Sequence, residues 1–227
     1  MKKIKHIFFD LDHTLWDYDR NAQETLLEIY DGLDVNPSVT WKKFVNTYYE
    51  VNDKLWYKYN NKLVDREYIK NYRFVEVFKK TGIDESHAEE SSLYFMANCS
   101  KKPHLIEHTK ITLDYLIKKY KLHIITNGFN DVQPVKLKSS GIQSYFDVIV
   151  TSETSEARKP EPGIFEDALQ RANAQKIESV MIGDNPKTDI HGARDFGIKT
   201  ILYDPSGKKR SMADYSIQSL DELIRIF

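Results

Sequence analysis

The chain has 227 residues, 41% of them hydrophobic and 30% charged, with a formal net charge of −1. That composition excludes a disordered chain and leaves no basic field to hold a nucleic-acid polymer. Its single cysteine, Cys99, excludes an internal disulfide framework, suits a small packed residue and points to a reducing cytoplasm. Met1 to Asp12 carries three lysines and a short apolar run that ends in two aspartates. It fits neither a signal peptide nor a membrane span, and no later stretch is long and apolar enough to cross a bilayer.

In chain order, Ile7–Asp10 predicts a first buried strand. Helical patterns follow at about Asn21–Leu33, Val39–Tyr59, Arg66–Thr81 and Glu85–Cys99, with Ser38 and Asp65 as starts and Gly82 as a stop. Thr109–Tyr120 sets Ile111, Leu113, Leu116 and Ile117 at helical spacing. Leu122–Thr126 and Phe146–Thr151 predict strands, and Pro162 opens a helix to about Asn173. Ser179–Gly183 and Lys199–Tyr203 predict two more strands, and Gly207–Arg210 a solvated turn. Strands alternating with helices imply an α/β fold, a doubly wound parallel sheet with right-handed crossovers. The connection from Leu11 to Lys121 is far too long for a plain crossover. It predicts an inserted helical domain, residues 18–100, with 1–17 and 101–227 forming the core.

Ligands of such sheets bind beyond the carboxyl ends of the strands. The first strand ends in Asp10-Leu11-Asp12-His13-Thr14, the second in Thr126-Asn127-Gly128, and the fourth in Gly183-Asp184-Asn185, with Asp189 downstream. Arg158-Lys159-Pro160 precedes the proline-capped helix. Each motif alone has a plain reading: a helix cap, a turn, a strand end, a surface lysine. Together they bring carboxylates, one lysine and one hydroxyl to a single edge, which is costly unless a cation neutralises them. Hard oxygen donors favour magnesium, with Asp10, Asp184 and the backbone carbonyl of Asp12 as ligands.

These motifs resemble those of the haloacid dehalogenase superfamily, most of whose members are phosphatases. The match covers about Lys5–Thr14 and Pro103–Tyr203, and the helical insertion corresponds in position to the family's cap domain. The resemblance implies that Asp10 is the nucleophile and Asp12 the general acid/base. It implies that Thr126 and Lys159 bind the transferring phosphoryl group, that Asp184 binds magnesium, and that Asp189 supports lysine and metal from behind. The Asn127 backbone N–H would help hold the phosphoryl oxygens. Asp12 separates the chain from the dehalogenase branch, because a departing halide needs no proton.

His13-Thr14-Leu15-Trp16-Asp17, Asn127-Gly128-Phe129 and Ser152-Glu153 ahead of Lys159 look similar to the branch that hydrolyses pyrimidine 5′-monophosphates. Acylneuraminate-9-phosphate and epoxide-hydrolase-related phosphatases share much of this core. The insertion is crowded with aromatics: Trp41, Phe44, Tyr48, Tyr49, Trp56, Tyr57, Tyr59, Tyr68, Tyr72, Phe74 and Phe78. Most are expected to pack the bundle and a few to line a slot for a flat base, while Arg66 and Arg73 are expected to pair with acids at the surface. The expected ligand is a small phosphorylated metabolite, a free nucleotide first. The alternatives are a sugar-phosphate phosphatase, a phosphomutase, and a phosphorylated receiver switch. A receiver would not carry a helical insertion straight after its first strand.

Overall fold

The computed structural model describes residues 3–33 and 35–227. Met1 and Lys2, at the head of the N-terminal run, and Asp34 lie outside the described residues. The chain packs as two compact units, Met1–Tyr18 with Pro103–Phe227, and Asp19–Lys102.

The first unit is built on a six-stranded sheet of order β3-β2-β1-β4-β5-β6. Its strands are β1 (His6–Phe9), β2 (Lys121–Thr126), β3 (Phe146–Thr151), β4 (Ser179–Gly183), β5 (Lys199–Tyr203) and β6 (Tyr215–Ile217). Every neighbouring pair is parallel. The doubly wound reading of the sequence therefore holds, and β6, too short to show a pattern, is the strand it missed. β1 is wholly buried, as its unbroken apolar run requires when both faces of a sheet are covered. The chain moves outward from β1 through β2 and β3, then returns to its other side for β4. That reversal is a topological switch point, the place where open α/β sheets take ligands.

Flanking helices are α5 (Thr109–Leu116), α6 (Gln133–Ser139), α7 (Pro162–Ala172), α8 (Gly192–Phe196) and α9 (Leu223–Ile226), numbered after the four of the second unit. Pro162 stands in the first turn of α7, where its missing N–H costs nothing, and Asn173 closes it in the left-handed conformation. Ile164, Phe165, Ala168 and Leu169 present its apolar stripe to Phe8, Ile125, Val150 and Met181 of the sheet. α5 stops one turn short of the expected Tyr120. Its Leu113 and Leu116 are buried, whereas Ile111 and Ile117 are exposed.

The two chain passes between the units are tied to each other within the first. Trp16 bridges Leu105 in antiparallel fashion, Asp17 N–H donates to His104 O at 3.1 Å, and Ile106 N–H to Leu15 O at 2.9 Å.

The second unit is helical: α1 (Tyr18–Gly32), α2 (Trp41–Asn60), α3 (Arg66–Thr81) and α4 (Ala88–Asn98), the last preceded by a short turn of 3₁₀ helix. Asp65 caps α3 by accepting from Tyr68 N–H, and Gly82 ends it at φ 87. Thr40, not the expected Ser38, caps α2 through Lys43 N–H. Phe44, Tyr48, Tyr59, Phe74 and Phe78 are bundle core. Trp41, Tyr49, Trp56, Tyr57, Tyr68 and Tyr72 keep part of their surface in solvent. Arg73 corrects the surface-pairing expectation. It is buried, donates to Asn52 Oδ1 at 3.2 Å and lies 4.6 Å from the Phe95 ring centre. The rings around it attract the guanidinium by their negative faces. No helix among the described residues is long and apolar enough to cross a membrane.

Candidate functional site

Register places the first two carboxylates. Phe9 pairs with Ile182, and Asp10 N–H then donates to the Ile182 carbonyl at 2.9 Å. Asp10 and Asp184 therefore leave the carboxyl ends of adjacent central strands. After β4 the chain enters a π-type turn, Pro186–His191, capped by Asn185, whose Oδ1 accepts from Lys187 and Thr188 N–H. The turn folds Asp189 back so that its Oδ2 accepts from Asn185 N–H at 3.0 Å. Asp10, Asp184 and Asp189 each bring a carboxylate oxygen within 4.8 Å of the others. Gly183 makes that return possible, because a Cβ there would collide with the Asp189 carboxylate.

Lys159 joins this group from the loop before α7. Its ammonium lies 2.6 Å from Asp10 Oδ1, 2.7 Å from Asp189 Oδ1 and 2.8 Å from the Ile125 carbonyl oxygen. Those partners engage all three of its protons. The side-chain amide of Asn127 grips the Lys159 backbone from both sides, donating to its carbonyl at 2.9 Å and accepting from its N–H at 2.8 Å.

One buried ammonium faces three carboxylates here. Burial, then the charges of Asp189 and Asp184, push the Asp10 carboxyl well above its ordinary range against the pull of Lys159. Burial and Asp189 push Asp184 the same way, against His13 and Lys209. Burial alone would lower the Lys159 ammonium, but Asp10 and Asp189 outweigh it and hold the lysine protonated. The excess of negative charge is what a hard divalent cation relieves, and the all-oxygen donor set suits one.

Asp12 belongs to a second group. Its Oδ1 accepts from Lys136 Nζ at 2.6 Å and its Oδ2 from Gln133 Nε2 at 3.0 Å. Burial would raise its carboxyl, but the Lys136 charge and these two hydrogen bonds hold it below the usual range. Gln133 Nε2 also donates to Thr126 Oγ1 at 2.7 Å, and Gly128 N–H donates to that oxygen at 3.1 Å. Two incoming donors leave the Thr126 hydroxyl its own proton to give.

Asp10, Lys159, Asp189 and Asn127 thus stand in one group, with Asp184 beside it, and Asp12 and Thr126 in a second, all within the first unit. Gln133, Lys136 and Lys209 were missed. Gln133 and Lys136 lie three apart on α6, one helix face just after Thr126-Asn127-Gly128, a spacing visible in the sequence. Gly207–Arg210 is a solvent-exposed turn, as expected, but Lys209 reaches from it to the site. Asp204 accepts from Ser206 and Lys209 N–H, which shapes the loop so that Lys209 Nζ reaches the Asp184 carbonyl at 2.6 Å and its Oδ2 at 3.2 Å.

Comparison with known proteins agrees with this architecture. The profile of the haloacid dehalogenase-like hydrolases matches residues 7–203. A pyrimidine 5′-nucleotidase of Streptococcus pneumoniae, PynA, is 29% identical, with 97% of this chain and 93% of that protein covered. A pyrimidine 5′-nucleotidase of Escherichia coli, YjjG, is also 29% identical, with 96% of each covered. Among solved structures, magnesium-bound YfnB of Bacillus subtilis superposes with a TM-score of 0.87 at 24% identity, covering 99% of this chain and 98% of that one. That last likeness shows the fold.

Proposed function

Because the chain belongs to the haloacid dehalogenase-like hydrolase family, and is therefore an enzyme, we propose that it hydrolyses phosphate monoesters through a phosphorylated Asp10. The observation that carries the proposal is the buried Lys159 ammonium held between Asp10 and Asp189, with Asp184 beside them. Phosphoryl transfer asks chiefly for positioning and charge neutralisation, and these groups supply both. Asp10, Asp184 and the Asp12 backbone carbonyl would hold magnesium, and Asp189 would support it and Lys159. When bound, the cation neutralises charge on the phosphoryl oxygens.

The Asp10 carboxylate attacks phosphorus in line. Lys159, the Thr126 hydroxyl and the Asn127 backbone N–H hold the oxygens that gain charge. Asp12, ionised beside Lys136 in the free site, takes up a proton as the substrate binds and gives it to the departing alkoxide. It then takes one from the water that cleaves the aspartyl-phosphate.

The proposed substrates are free nucleoside 5′-monophosphates, pyrimidines first, and the proposed setting is the cytoplasm. The two nucleotidase relatives, aligned along nearly the whole chain, support that preference. So do the partly exposed rings of the helical unit, since stacking one base contributes about 1–3 kcal/mol. The test is a panel of kcat/KM values, with magnesium, for dUMP, dTMP, UMP and AMP against glucose 6-phosphate, glycerol phosphate and phosphoglycolate. A nucleotide should lead. If a sugar or glycol phosphate beats every nucleotide, the substrate preference is wrong and the phosphatase reading stands. If no ester turns over with magnesium, the phosphatase reading is wrong.

A further inference from the structure

We infer that Lys136 and Gln133 are positioning residues that aim the Asp12 carboxylate at the water of the second half-reaction. The inference rests on the phosphatase reading above. Its ground is a buried bracket. Lys136 holds Oδ1 of Asp12 and Gln133 holds Oδ2, so both oxygens already accept a hydrogen bond and the carboxylate plane is fixed. Neither holder can wander. Gln133 is fully buried, and its amide orientation is set by two acceptors, Asp12 and Thr126. A Cβ on Gly128 would occupy the place of that amide, so the glycine is what lets Gln133 in.

The Lys136 ammonium lies 4.5 Å from the centre of the Trp16 ring. Trp16 is itself buried and tied through its backbone to Leu11 and His13. The ammonium is therefore pinned between an aromatic wall and Asp12. Asp12 keeps 24% of its side chain in solvent, against 9% for Lys136. Asp12 is thus the member of the bracket most open to solvent.

The step these residues serve balances as follows. The water oxygen bonds to phosphorus and the water proton passes to Asp12. The bond from phosphorus to the Asp10 oxygen breaks, its electron pair returning to the Asp10 carboxylate, and inorganic phosphate leaves. Reaction of water in place needs its base aimed, so losing the bracket should slow this step. A plainer role for Lys136, tying α6 to the loop after β1, would lower the melting temperature and would not divide the two half-reactions.

Rapid-quench kinetics with para-nitrophenyl phosphate and magnesium separate these roles. Para-nitrophenolate departs without a proton, so the first step does not depend on Asp12. In Lys136→Met the burst should keep its rate within about threefold, while the steady rate after it falls about 10- to 100-fold and phosphoenzyme accumulates. Lys136→Arg should recover most of the steady rate. Lys136→Gln, too short to keep the ammonium's place and uncharged, should show the same partition and is the variant to read if Lys136→Met does not fold. Gln133→Met, which also frees Thr126, should lower the steady rate and the burst as well. An unchanged steady rate in these two Lys136 variants, or burst and steady rates falling together in them, would overturn the inference. A wild-type enzyme that turns over no phosphate ester would instead remove the reading on which it rests.

Discussion

Lys159 Nζ and Asp10 Oδ1 lie 2.6 Å apart, with the lysine 2% exposed and the aspartate 7%. A buried pair of this kind is weak evidence for stability, yet breaking it from one side is expensive because the other charge remains. Lys159→Met should therefore abolish phosphatase turnover and also destabilise the protein, by about 3–5 kcal/mol in metal-free buffer. The loss should shrink when magnesium is added. Thermal melts with and without the cation, run beside the turnover assay, check both statements. A variant as stable as wild type without metal would mean that the three carboxylates do not depend on the lysine.

Asp10→Asn should fold and lose nearly all turnover, since a neutral amide neither attacks phosphorus nor holds a hard cation well. Asp184→Asn should lose cation affinity with Asp10 intact. Calorimetric titration with magnesium reads the second effect independently of catalysis. Wild-type affinity in Asp184→Asn would remove that residue from the proposed metal site.

Gly183→Ala is a test of the turn. The added methyl must displace the Asp189 carboxylate, which is held by Asn185, Thr188 and Lys159. Overpacking of this sort costs about 1–3 kcal/mol, and magnesium affinity should fall with it. A variant with normal melting and normal affinity would show that the carboxylate has room to retreat.

His123 carries a prediction outside the site. It is buried beside His6, the nearest ring nitrogens 3.0 Å apart. Burial first, then the charges of His6 and Lys121, lower it to about 4. The unfolded chain takes a proton near pH 6.5, and the folded chain refuses it until about pH 4. Stability is thus intact above about pH 6.5 and declines as the pH falls toward 4, by roughly 3 kcal/mol at the limit. His123→Phe should flatten the fall in melting temperature across that window. Parallel curves for the two proteins would remove the ring from the acid response.

The core was legible because its strands are buried on both faces and so read as unbroken apolar runs. Ile7–Phe9, Ser179–Gly183 and Lys199–Tyr203 needed no knowledge of their neighbours. Asp10, Lys159 and Asp184 were legible for a related reason, since each directly follows a strand or precedes a proline-opened helix. The bracket around Asp12 was not. Gln133 and Lys136 join it only when α6 is laid beside the loop after β1, a relation set by the fold and not by sequence neighbours. Lys209 was hidden for the opposite reason. A glycine followed by three cations has the composition of a solvated turn, and only the Asp204 hydrogen bonds bend it toward Asp184. Arg73 misled because a lone arginine among aromatics ordinarily snorkels, whereas here three helices close over it.

The paired passes at Leu15–Asp17 and His104–Ile106 have a consequence for modularity. The chain departs from the sheet and rejoins it at hydrogen-bonded neighbours. Excising residues 19–102 would ask for no more than a tight reverse turn to close the gap, and loop-closure entropy changes slowly with whatever length is put back. Strand register is fixed upstream and downstream of that doorway, so its contents can be exchanged while the sheet keeps its alignment.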